Sequence, residues 1–96
     1  MDITPEVLEA FKNRMHFTHS SEDEDLKIML ETSYEDIQSK CGTFDITSNL
    51  RGRELVFERT RYVYNDALEY FNDNFLSQLN SFAIDNLPME VGESDA

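Results

Sequence analysis

The chain is 96 residues long and carries 20 acidic against 8 basic side chains, a net charge of −12 at pH 7. That length supports one domain, and so acidic a surface is repelled by DNA and by anionic membranes. Seven Phe and four Tyr argue against wholesale disorder, while the single Cys41 excludes an internal disulfide framework and fits a reducing compartment.

The opening, MDITPEVLEA, has no basic start followed by an apolar run, so no signal peptide is expected. No apolar stretch approaches membrane-spanning length, and the expectation is a soluble protein made in the cytoplasm. Thr4-Pro5-Glu6 predicts a helix start: Thr caps, Pro suits the first helical position, and Glu favours the positive end of the dipole. Val7, Leu8, Phe11 and Met15 share one face, and the helix is expected to end near Arg14. His16 to His19 reads as a short extended link.

Ser21 and Glu24 fit a capping box, with Asp23 and Asp25 in the same first turn. The run SEDED therefore reads as a helix start. It lacks the alternating ligands and central Gly of a calcium loop. The predicted helix continues through Lys40, with Gly42 as its C-terminal cap. Its apolar stripe is Leu26, Met29, Leu30, Ser33, Tyr34, Ile37 and Cys41, and Ile28 falls nearly opposite the stripe's centre. Thr43 to Asn49 reads as a polar loop.

A third helix is predicted from about Leu50 to about Asn72, the longest in the chain. Val56, Phe57, Thr60, Val63, Tyr64, Ala67, Leu68, Tyr70 and Phe71 span an arc of roughly 160°, wide enough to pack on both other helices. Four of the eight basic residues, Arg51, Arg53, Arg59 and Arg61, lie in its first half, and no Lys or Arg follows Arg61. Arg51 and Arg53 sit where the helix dipole disfavours positive charge, so an acidic neighbour is expected, either Asp45 or a carboxylate of another chain. Leu55 and Tyr62 lie one helical repeat apart among charges on the polar side. With the four arginines and Ile28 they form the candidate contact surface. Phe75, Leu76, Leu79, Phe82, Ala83 and Leu87 predict a further short helix ended by Pro88, and MEVGESDA reads as a mobile acidic tail.

The pattern offers no catalytic set. His16 and His19 read as loop histidines beside a helix start. There is no Gly-rich phosphate loop and no second Cys for a zinc pair. Cys41, at a helix C-terminus, is placed where the dipole disfavours a thiolate. The expectation is a non-enzyme without metal or cofactor. It is an all-α bundle with one long central helix and two or three shorter ones over residues 1–87, followed by a flexible acidic tail over 88–96.

The stretch VLEAFKNRMHFTHSSEDEDLKIMLETSYEDIQSKCG resembles the opening of the head–tail connector (adaptor) proteins of tailed bacteriophages. Those proteins show a short helix, a brief linker, an acidic cluster followed by Leu, a helix and then a Gly. RGRELVFERTRYVYNDALEYF resembles the family's long second-half helix, and the likeness covers roughly residues 4 to 75. It departs at the end, where the family carries a basic, Leu-containing segment and this chain has FLSQLNSFAIDNLPMEVGESDA. The resemblance implies a structural subunit of the virion, assembled in the host cytoplasm. Its copies form a ring, usually of twelve, beneath the portal protein. The ring extends the DNA channel without specific DNA binding and docks the next head-completion or tail protein. The alternative from composition is a small acidic regulator, of DNA-mimic or anti-repressor type, that occupies a basic protein surface.

Overall fold

The computed structural model describes residues 3–87. Those residues are all-helical, in the order α1 (Pro5–Met15), α2 (Asp23–Cys41), α3 (Leu50–Tyr64), a single 3-10 turn (Leu68–Tyr70) and α4 (Phe71–Asp85). Pro88 and the acidic tail lie outside the described residues.

α1 starts as its sequence dictates, with the Thr4 hydroxyl accepting from the Val7 amide at 3.2 Å. It ends at His16, whose φ of 63° lets the His16 and Phe17 amides reach back to the Asn13 and Lys12 carbonyls. α2 begins one residue later than the capping box requires. The Ser21 hydroxyl bonds His19 Nδ1 at 3.0 Å, and Glu22, without a side-chain cap bond, takes the N-cap position. Long-range partners outcompete the local box. Glu22 accepts from the Tyr64 hydroxyl at 3.0 Å, and Asp23 pairs with Lys12 at 2.8 Å. The predicted stripe of α2 is the core: Leu26, Leu30, Ser33, Tyr34, Ile37 and Cys41 are buried, against Val7 and Phe11 of α1, Leu55, Val56 and Phe57 of α3, and Phe71, Leu79 and Phe82 of α4.

The 42–49 connection is less polar inside than its composition suggests. Ile46 is buried, and the Phe44 ring sits edge-on to both Tyr34 and Phe82, at centroid distances of 5.2 and 5.3 Å. Tyr34 fixes this loop by donating its hydroxyl to the Phe44 carbonyl and accepting from the Ile46 amide. Asp45 closes a local turn by accepting from both the amide and the hydroxyl of Thr47. The Thr47 hydroxyl bond, and after it the amide bond, hold the Asp45 carboxyl below its usual pKa.

The long central helix is shorter than expected. α3 stops at Tyr64, because Asp66 takes a left-handed conformation with φ 62°. The Asp66 and Ala67 amides then close back onto the Val63 and Tyr62 carbonyls. Short polar side chains tolerate this conformation and are poor helix formers, so Asn65-Asp66 terminates what the apolar period would have continued. As a result Leu68 and Tyr70 face solvent, while Phe71 enters the core at the start of α4. α4 bends at Phe75, where φ is −117° and ψ 15°. It runs back along α3, so that Arg51 meets Asp85 and Tyr62 meets Asn74.

Gly52 is required by packing, since a Cβ there would overlap the Phe44 ring. Gly52→Ala should lower stability by about 1–3 kcal/mol, although Ala is the better helix former by about 1 kcal/mol. Thermal unfolding would register this as a fall in Tm of several degrees, and an unchanged or raised Tm would contradict the packing argument.

Candidate interaction surface

The cations do not stand free on α3. Arg59, its side chain only 12% exposed, donates to Asp36 and to Ser33 of α2 at 3.0 Å each. Arg53 spans back to the Ile46 and Thr47 carbonyls at 3.1 Å, and so holds the loop that precedes its own helix. Arg51 pairs with Asp85 of α4 at 2.7 Å, its guanidinium 5.4 Å from the centre of the Phe82 ring. Asp45 is not the partner of either. Arg61 pairs with Glu58 at 2.6 Å and covers the Tyr62 ring. Arg14 reaches across from α1 to Glu54 and Glu58. The unfavourable dipole position of Arg51 and Arg53 is thus offset within the chain, by a carboxylate and by two carbonyls.

The apolar pair expected beside the arginines is corrected in the same way. Leu55 is 5% exposed and belongs to the core. Tyr62 is half-buried, edge-on to Phe71 and Phe75 with both centroids 5.7 Å away, and its hydroxyl accepts from Asn74. Helix α4 covers the side of α3 that the sequence left open. Ile28 alone of the predicted apolar contacts is on the surface, at 55% exposure, with the exposed carboxylates of Glu24, Asp25 and Glu35 on the same side of α2.

The exposed apolar side chains concentrate elsewhere. Leu76, Ile84 and Leu87 of α4 and its end are 55%, 66% and 60% exposed, and Leu68, Tyr70 and Leu50 join them at the surface. A groove of about 580 Å³ runs between α3 and α4, floored by Leu55, Phe75 and Phe82 and rimmed by Arg51, Glu54 and Ser81. The sequence signal for this surface was a second apolar line, Leu76–Ile84–Leu87, beside the line Phe71–Leu79–Phe82 that the core uses.

Among the described residues no group of three or more His, Cys, Asp or Glu side chains could hold a metal ion. No described helix is long and apolar enough to cross a membrane. Cys41 is buried, and its Sγ lies 3.5 Å from the Leu79 carbonyl. Burial pushes its thiol pKa up, and Lys40 opposes the shift only in part. Comparisons with protein families, with curated proteins and with solved structures find no match.

Two outcomes follow from these contacts. Arg59→Glu would put a carboxylate against Asp36 in a poorly solvated site, and should cost about 2–4 kcal/mol in denaturant unfolding. Arg61→Glu should cost less, about 1 kcal/mol, because the Arg61 side chain is itself 43% exposed and Glu58 keeps Arg14 as a second cation. Equal costs would show that Arg59 does not join α3 to α2 as described. Native Cys41 should react with a thiol reagent more than about tenfold slower than in denaturant, because reaction needs an exposed thiolate. Its raised pKa favours the neutral thiol in the fold, so that contribution to stability is complete below the unfolded pKa of about 8.5 and is lost as the pH climbs past it. Rapid native labelling at neutral pH would refute its burial.

Proposed function

We propose that the chain is a structural, non-catalytic subunit of the phage head–tail connector type. In this reading copies close into a ring beneath the portal protein, prolong the DNA channel and present a docking surface to the next head-completion or tail protein. The observation that carries it is α4, a helix that uses one apolar line to seal the bundle and turns a second one outward. Small domains gain stability by burying such surface between copies, and head-to-tail contacts close into rings when the rotation allows. The order of elements along residues 4–75, a short helix, a link, an acidic helix start, a helix ended by Gly42 and a third helix, supports the same assignment.

One observation favours the acidic-regulator alternative. Lys12, Arg14, Lys40, Arg51, Arg59 and Arg61 all pair with carboxylates of their own chain. What remains outward on α2 is therefore mainly negative, a face that a basic protein would accept. The connector reading is preferred because it also accounts for the outward Leu76, Ile84 and Leu87 of α4 and its end.

The two readings part in one experiment. Full-length protein mixed with a portal from a tailed phage and viewed by negative-stain microscopy should show an added ring under the portal. Particles with no added density, together with capture of a nucleic-acid enzyme through its basic site, would replace the connector by the regulator.

A further inference from the structure

We propose that the outward face of α4, carried by Leu76, Ile84 and Leu87, is where a second copy of this chain packs. The inference rests on the connector reading only in that copies associate: two such faces meet as a two-fold pair, and the head-to-tail contacts that close a ring would use other surfaces.

Within α4, Leu76 and Ile84 lie about 80° apart around the helix axis, and Leu87 follows two residues after the helix ends. The faces of α4 divide cleanly. Phe71, Leu79 and Phe82 are buried in the bundle, whereas Leu76, Ile84 and Leu87 remain more than half exposed. A surface helix of a protein that works alone keeps its second side polar.

Charge decides what covers this face. From Asn72 to Ile84 the only charged residue is Asp73, and Asp85 is already neutralised by Arg51. The other exposed side chains there are Asn72, Asn74, Ser77, Gln78, Asn80 and Ser81. A cationic partner would find almost nothing to pair with. A nucleic acid would find only Lys40 and Arg51 at the margins of α4, each already paired with a carboxylate of its own chain.

Two copies of a chain with net charge −12 repel over most of their surfaces. The alternative self-contact, Ile28 on α2, is surrounded by Glu24, Asp25 and Glu35, so bringing two such faces together sets like charges opposite one another. The α4 face escapes this penalty. Its amides and hydroxyls both donate and accept, so an identical face can satisfy them. Helices bearing such faces approach to about 8–10 Å.

One helix face buries less than the roughly 800 Å² per partner of a standard stable interface. Association of the free protein is therefore weak, with a dissociation constant on the order of micromolar or above, and strengthens when several contacts close together.

The test is sedimentation of the full-length chain over a concentration series, at low and at high salt. Wild type should gain mass with concentration, and more so at high salt, because screening removes the repulsion while apolar burial persists. Leu76→Glu with Ile84→Glu should weaken association by more than tenfold, and Ile84→Glu alone should weaken it measurably. Ile28→Glu should associate as wild type does. Circular dichroism should be unchanged in all three, since the altered side chains are exposed. If the α4 variants associate like wild type, or if Ile28→Glu is the one that fails, the α4 surface is wrong and self-assembly itself stands. A wild-type chain that stays monomeric at every concentration and salt overturns both.

Discussion

The architecture depends on where a few positive charges go. With 8 basic side chains among 20 acidic ones, each cation has a choice of partners, and the fold uses them to join helices. Lys12 ties α1 to the first turn of α2, Arg14 ties α1 to α3, Arg59 ties α3 to α2, and Arg51 ties α3 to α4. Lys40 completes the set by reaching Asn72 of α4 while pairing with Asp36. Exposed pairs of this kind contribute only about 0–1 kcal/mol each. The buried apolar residues of the four helices supply most of the stability. The ion pairs instead set which helix lies beside which, because a mispaired arrangement would set carboxylates against one another. Lys12, 5% exposed, and Arg59, its side chain 12% exposed, are the exceptions, since cations so far removed from water are costly to disturb.

Much of this was legible in the chain, and the misses share a cause. The Thr4 cap, the stripe of α2 and the Gly42 stop are local or strictly periodic signals, and the structure has all three. The end of α3 was hidden because Ala67, Leu68 and Phe71 stay in helical phase across the break, and only the left-handed Asp66 reveals it. The capping box at Ser21 failed because Glu22 and Asp23 found partners 42 and 11 residues away in sequence, Tyr64 and Lys12. Arg59 illustrates the same limit. Its partners Asp36 and Ser33 lie 23 and 26 residues earlier, whereas the sequence reading set it on an outward contact surface.

Misplacing the end of α3 also misplaced which apolar side chains are exposed. A single helix to Asn72 would have left the side of α3 bearing Leu55 and Tyr62 open. The turn at Asn65-Asp66 instead folds α4 back over it, burying Leu55 and setting Phe71 and Phe75 edge-on to Tyr62. The arginines of α3 are taken up by partners within the chain, and the exposed apolar side chains are Leu76, Ile84 and Leu87 of α4 and its end, the surface proposed for self-contact. That change alters the chemistry of such a contact from salt-sensitive pairing to apolar burial, which salt strengthens.

Just past α4, Asn86 bonds back to the end of α2 and the loop that follows it. Asn86 Nδ2 donates to the carbonyls of Cys41 and Thr43, at 3.0 Å each, beside a glycine with φ 96°. Hydrolysis of that amide to a carboxylate would exchange a donor for an oxygen facing two other oxygens. A single event of chemical ageing at this corner would loosen the end of the helix next to Ile84 and Leu87, with no change to the sequence encoded.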